Sequence, residues 1–172
     1  MIAPLSLDGA AASLQNGCVI ELRQAASAAE IEDVRGLFRE YQRWVDEPCC
    51  FPTFEQELAG LPGEYVAPAG RLFLAREACA AAGCAALRRL DASAGEMKRL
   101  YVRPKFRGRG LGQRLAGQVI AAAREAGYKR LMLDTLPKMT SAIALYRALG
   151  FSPRGPYSES PTPGAIFFEL RL

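Results

Sequence analysis

The sequence predicts one mixed α/β domain, and three observations carry that prediction. A strand-like run at 97–104 meets a basic glycine-rich turn that opens a helix, and the helix leads to a second apolar run at 129–134. A strand, a crossover helix and a second strand make a parallel unit. Alternating runs at 71–77 and 166–172 lie on either side of that unit and have the period of sheet strands. The chain is 172 residues long and half of them are hydrophobic, enough for a core without metal or disulfide help.

In chain order, 1–17 is rich in alanine and leucine, has no early basic cluster and contains Asp8, so a disordered leader is expected rather than a signal peptide. Residues 18–172 are expected to form the single domain. Val19, Ile20 and Leu22 give 18–23 the content of a short opening strand. Ser27 followed by Glu30 is a capping box, and Ile31, Val34, Phe38, Tyr41 and Val45 recur at helical spacing beyond it. Leu37 and Trp44 stand off that stripe and are expected to flank the core. Residues 46–70 break the periodicity with proline and glycine; they predict an irregular connection with at most a short helix at 53–59.

Strands are expected at 71–77 and 83–90, with an unmarked turn between them. The helix at 110–126 places Leu111, Leu115, Val119 and Ala122 on one side, and Gly127 suits its C-terminal cap. After Pro137, Thr140 or Ser141 is the expected cap of a helix at 142–149, which Gly150 and Phe151 stop in the Schellman manner. Strands at 151–154 and 166–172 close the domain.

Charge and composition narrow the function. The formal charge is only +4 and its excess concentrates around the central turn, which favours a small polyanion over long nucleic acid. Aromatic residues are not interleaved with the arginines there, as single-strand binding would require. Five cysteines without a Cys-x-x-Cys pair indicate neither a disulfide framework nor a zinc site, and a reducing, cytoplasmic home is expected. Cys49, Cys50, Cys79 and Cys84 are expected to be inert small hydrophobes. No apolar run approaches membrane-spanning length. There is no histidine, so acid and base chemistry falls to carboxylates, tyrosine, cysteine, lysine or the backbone, and the commonest metal ligand is missing; no metal is expected.

The turn Arg107-Gly108-Arg109-Gly110-Leu111-Gly112 is suited to an anion. The first N–H groups of a helix lack partners and carry the positive end of its dipole. Three glycines remove the Cβ atoms that would hold a pyrophosphate away, while Arg103, Lys105, Arg107, Arg109 and Arg114 raise the local potential. Gln113 and Arg114 stand where a P-loop needs Lys-Ser/Thr, and Leu115 stands where a dinucleotide fingerprint needs its third glycine.

Arg107, Gly110 and Gly112 do match Gln/Arg-x-x-Gly-x-Gly/Ala, and the segment resembles the acyl-coenzyme A loop of the GNAT superfamily of N-acetyltransferases. A second segment, Ala142-Ile-Ala-Leu-Tyr-Arg-Ala-Leu-Gly-Phe151, is similar to the family's Ala-x-x-Leu-Tyr-x-x-x-Gly-Phe helix, and Glu-Met-Lys-Arg-Leu-Tyr-Val before the loop extends the likeness. The resemblance covers 95–151.

It implies the GNAT acyl-CoA N-acyltransferase fold: a mixed central sheet splayed between two parallel strands and flanked by helices. It implies acetyl-CoA as cosubstrate, with the pantetheine arm against the main chain of Leu100, Tyr101 and Val102 and the pyrophosphate at Arg107, Gly108, Arg109, Gly110, Leu111 and Gly112. Met139 stands where many members carry an asparagine that contacts the coenzyme, so that contact is not carried over. The activity implied is acetyl transfer to a primary amine of a small molecule. The other function that such a fold permits is a coenzyme A-binding regulatory module without efficient turnover. A homodimer would be usual for the family.

Acetyl transfer to an alkylamine needs a base, because such an amine is mostly protonated at neutral pH. Glu96, next to the central strand, is the candidate, acting through water. Tyr146 resembles the family's tyrosine that protonates the leaving thiolate, and N–H groups near Val102 are placed to meet the oxyanion. Asp134 ends a strand facing the expected cleft, and a helix-capping or loop role is expected for it. Tyr157, Phe51 and Trp44 are expected to pack, with the acceptor wall as their functional alternative.

Overall fold

In the computed structural model the described residues are 19–46, 53–157 and 163–172. Seven strands form one sheet in the order β1-β2-β3-β4-β5-β7-β6. They are β1 (Ile20–Gln24), β2 (Arg71–Glu77), β3 (Ala80–Arg89), β4 (Ala94–Val102), β5 (Arg130–Thr135), β6 (Ser152–Arg154) and β7 (Ile166–Arg171). The helices are α1 (Ala28–Val45), α2 (Phe54–Gly60), α3 (Leu111–Glu125) and α4 (Thr140–Ala148). All neighbouring strands run antiparallel except β4 and β5, which are joined by the α3 crossover.

The sheet buries both faces, and β2 shows how. Leu72 and Leu74 join Val34, Leu37 and Phe38 of α1 and Leu58 of α2. Phe73 and Ala75 point the other way, into the core that holds Leu111, Leu115 and Val119 of α3. At its start α1 has the full Ser27/Glu30 capping box. Gly127 and Gly150, both at positive φ, end α3 and α4. In each case the residue beyond donates back: Tyr128 N to Ala123 O at 3.1 Å and Phe151 N to Tyr146 O at 3.0 Å.

Several boundaries differ from expectation for physical reasons. The β2–β3 turn closes on Ala78, which takes a left-handed φ of 51°, so β3 begins at Ala80 and not at residue 83. β4 begins at Ala94, because Gly95 fits closely under Leu87 and Tyr128 and belongs to the sheet. α4 starts at Thr140 with Met139 at its N-cap, so neither Thr140 nor Ser141 caps it through a side chain. Within 46–70, α2 and a 3-10 turn at Gly63–Tyr65 are ordered around buried Phe54, Leu58 and Tyr65. The expected leader at 1–17, and Cys18, Cys49, Cys50 and Phe51, lie outside the described residues.

Two features of β4 bear on the site. Its ladder to β5 has three registered pairs, Ala94 with Arg130, Gly95 with Leu131 and Glu96 with Met132, and pairing ends there. Opposite β3, Cys84 pairs with Tyr101 and Ala86 with Lys98, so β4 carries one extra residue. The bulge centres on Arg99, a non-glycine at φ 56°. Its guanidinium is tied to Glu57 and lies 5.4 Å from the Phe54 ring, which holds the strained residue in place.

Candidate active site

Beyond Glu96 the two parallel strands part, and a cleft of about 490 Å³ opens between the upper half of β4, the end of β5 and the first turns of α3 and α4. Leu100, Tyr101 and Val102 line one wall, and Gly110 to Gln113 at the start of α3 line the mouth. No side chain caps the α3 N-terminus, so its first N–H groups are available to a ligand. Gly108 and Gly110 sit at φ 74° and 70°, a conformation that side chains resist, and a Cβ on either would meet nothing within 4 Å. At Gly112 a Cβ would touch only Leu145, at 3.5 Å. The glycines therefore line a cradle with free space above it.

Of the five cations near the turn, Arg107 is the one lining the cleft. Its Nε donates to Val102 O at 2.9 Å, and its guanidinium lies 4.9 Å from the centre of the Trp44 ring and 5.9 Å from that of Tyr101. Arg109 pairs with Glu77, Arg103 makes a two-pronged pair with Glu40, and Arg114 donates to Ile20 O. Lys105 lies over the Phe106 ring.

At the inner end of the cleft is Tyr146. The Schellman stop of α4 brings Phe151 to 5.9 Å from its ring, and Phe168 lies at 6.2 Å. The side chain is buried, and its hydroxyl makes no hydrogen bond among the described residues. Burial foremost, then Tyr41 and Asp134, push its pKa up, so it remains a protonated donor at neutral pH.

Next to Tyr146 a chamber of about 40 Å³ lies between Lys98, Leu100, Asp134 and Met139. Lys98 spans the gap between the strands, with Nζ 2.9 Å from Asp134 Oδ1 and 3.5 Å from Glu96 Oε1. Glu96 is 3% exposed. Its Oε2 accepts from Arg88 Nε at 2.6 Å and its Oε1 from the Tyr157 hydroxyl at 2.8 Å. Burial, then Glu96 and Asp134, push the Tyr157 phenol far up, so it stays a donor to that carboxylate. On the same face of the sheet, Glu57 of α2 accepts from Arg99 and, at 2.6 Å, from Tyr65. Burial alone would raise Glu57, but the Arg99 contacts outweigh it and hold the carboxyl below its ordinary range.

Residues 31–151 match the model of the Acetyltransferase (GNAT) family. The chain belongs to that family. An uncharacterized N-acetyltransferase of Schizosaccharomyces pombe is 34% identical over 145 residues, covering 83% of this chain and 89% of its own. Among solved structures, an acetyltransferase from Streptococcus agalactiae superposes with a TM-score of 0.76 at 20% identity, covering 89% of this chain and 98% of that one. A GNAT acetyltransferase from Elizabethkingia anophelis, solved with acetyl-CoA bound, gives a TM-score of 0.63 at 21% identity over 89% of this chain and 98% of its own. The seven-stranded sheet with one parallel pair and flanking helices is the GNAT fold.

Within this GNAT domain, the cleft gathers Leu100, Tyr101, Val102, Arg107, Gly108, Gly110, Leu111, Gly112 and Tyr146. Arg109 is outside its lining, drawn off to Glu77. Glu96 is not beside the central strand but inside it, buried and enclosed by Arg88, Lys98 and Tyr157. Met139 lines the cleft, its sulfur accepting from Thr135 Oγ1 at 3.4 Å.

Three residues whose default expectation is packing, or for Asp134 a cap or loop role, have positions at the cleft or in its polar network. Trp44 is half exposed, on the cleft wall, because its neighbours Tyr41 and Tyr101 stack it towards Arg107. Tyr157 bonds Glu96, and Asp134 belongs to β5 and pairs across the gap. The strand end facing the cleft was legible for Asp134 in the sequence, and its pairing with Lys98 was not. Cys84 is buried, with burial pushing its thiol up, whereas Cys79 is exposed and so no core hydrophobe. Among the described residues no group of three potential ligands could hold a metal, and no helix is long and apolar enough to cross a membrane.

Proposed function

We propose that this protein transfers the acetyl group of acetyl-CoA directly to the primary amine of a small acceptor. The observation that carries the proposal is the protonated hydroxyl of Tyr146, a buried side chain that lines the inner end of the cleft and makes no hydrogen bond among the described residues, below a mouth formed by an uncapped helix N-terminus lined with glycine. The residues suit the coenzyme chemically. N–H groups from Gly110 to Gln113 and the Arg107 guanidinium would hold its pyrophosphate, and the upper main chain of β4, left unpaired by β5, would bond the amides of its arm. The coenzyme supplies an activated acetyl thioester.

The chain's own residues handle the protons. Glu96 has both oxygens engaged, so its part is that of a remote base, drawing a proton through intervening groups and not by contact. The acceptor ammonium gives up one proton towards that network, and the nitrogen lone pair forms the C–N bond as the C–S bond breaks. Tyr146 gives its proton to the departing sulfur and takes the surplus proton of the new amide nitrogen. One proton reaches solvent per turnover. The narrow chamber beside Tyr146 suits the unbranched end of a primary amine.

A thermal melt with acetyl-CoA, ATP and NADPH tests the proposal. Acetyl-CoA at about 100 times its Kd should add roughly 2.7 kcal/mol, and at about 2–4 °C per kcal/mol this raises Tm by about 5–11 °C. The two other nucleotides should give far less. An equal rise with all three, or none with acetyl-CoA, would remove the basis for a coenzyme site.

A further inference from the structure

Among the described residues, Asp134 is the one carboxylate that lines both the cleft and the chamber beside Tyr146. Glu96 lines neither, and its oxygens are held by Arg88 and Tyr157. The position facing Asp134 is already filled by an alkylammonium. Lys98 reaches across from the opposite strand and places Nζ between two carboxylates, 2.9 Å from Asp134 and 3.5 Å from Glu96. Both side chains of the pair retain contact with solvent, at 20% and 23% exposure, so the ion pair is at the chamber's wall and not sealed beneath it.

We infer that this pair is the acceptor's ammonium seat: a cationic primary amine displaces Lys98 from Asp134 and is held there beside Tyr146. The inference rests on the transferase proposal above and specifies its acceptor class. The exchange is one ammonium for another of the same kind, so Asp134 keeps a cationic partner throughout. Lys98 keeps Glu96, towards which it already leans, and Glu96 keeps Arg88. No buried charge is left without a partner, so the exchange avoids the usual penalty of breaking such a pair. Neutral acceptors of the same shape, such as alcohols, cannot make it. In this arrangement Lys98 is the seat's occupant when no acceptor is present, and a competitor for it otherwise.

The test is isothermal titration of the coenzyme A-saturated protein with propylammonium chloride, with propan-1-ol as the neutral control. Asp134→Asn should weaken propylammonium binding at least about tenfold, whereas Lys98→Met, by removing the competitor, should tighten it several-fold. Asp134→Glu, which keeps the charge, should restore part of what Asp134→Asn loses, and serves if the asparagine variant does not fold. A merely structural bridge predicts the same direction for both single variants. Weakening in both, no change in either, or no propylammonium binding to the parent overturns the inference, as does propanol binding equally well. Coenzyme A binding is read in the same samples, which separates the two failures. Opposite signs without coenzyme binding would leave the ammonium seat and discard the transferase proposal.

Discussion

At its lower end β4 keeps register with β5 through Ala94, Gly95 and Glu96, while at its upper end Leu100 to Val102 face β5 across a cleft. The lower end is closed by small residues under large apolar ones: a Cβ on Gly95 would come within 2.9 Å of both Leu87 and Tyr128. The upper end departs from β5 where β4 carries one extra residue, with Arg99 in the bulge tied to Glu57, and Lys98 spans the resulting gap to Asp134. Packing therefore decides where the parallel pair begins, and the bulge at Arg99, tied to Glu57, marks where it ends. A glycine near the base should matter for stability, and one near the mouth for binding.

The largest effect expected from breaking this division is on turnover. Tyr146→Phe should lower kcat by on the order of 10²–10³ and leave coenzyme affinity alone, since the ring's packing against Phe151 and Phe168 survives. Unchanged turnover would discard the donor role.

Next comes the pair of glycines. Gly95→Val overfills the closed end and should cost about 1–3 kcal/mol in a denaturant melt, with the coenzyme affinity of the folded fraction unchanged. Gly112→Val should leave the coenzyme-free melt nearly as it is and weaken coenzyme binding on the order of tenfold, because its side chain enters the cradle. If both variants lose stability alike, the contrast between base and mouth fails.

Trp44→Ala should weaken coenzyme binding about two- to fivefold, the worth of the ring that supports Arg107, as measured by titration. The smallest effect concerns the bulge. The folded pKa of Glu57 is held below its unfolded value of about 4.3, so its contribution is fully present above that pH and is lost as pH falls through the folded pKa. The Tm gap between the parent and Glu57→Gln should thus be widest near neutrality and close on acidification. A gap independent of pH would remove the Arg99–Glu57 pair as the bulge's restraint.

What could be foreseen from the residue order divides in the same way between local and distant causes. The glycine turn, the α3 and α4 stops and the Ser27 cap each depend on neighbours within a few positions, and each shows in composition and spacing. Tyr146 was legible because its motif includes the Gly150–Phe151 stop that fixes it. The acceptor side was not legible. Arg99 meets Glu57 from 42 positions away, Lys98 meets Asp134 from 36 and Tyr157 meets Glu96 from 61. Such pairs exist only once the strand register is set, and the extra residue at Arg99 shows in the sequence only as two adjacent cations, Lys98 and Arg99, that break the strand's alternation. For Trp44 the helical position says that it lies off the core stripe and leaves packing and a pocket wall both open; its contacts with Tyr41 and, on another element, Tyr101 turn it to the cleft.

The unpaired upper edge of β4 has one more consequence, for self-association. A strand with free N–H and C=O groups is ordinarily a template on which other chains aggregate. Here Leu100 to Val102 line a recess of about 490 Å³ shared with residues of β5, α3 and α4, and do not lie on an open sheet edge. The recess lets the fold keep a reactive backbone edge and still refuse its own kind. Widening the cleft by trimming Leu145 or Met139, which both line it, would therefore threaten colloidal stability before it altered the chemistry.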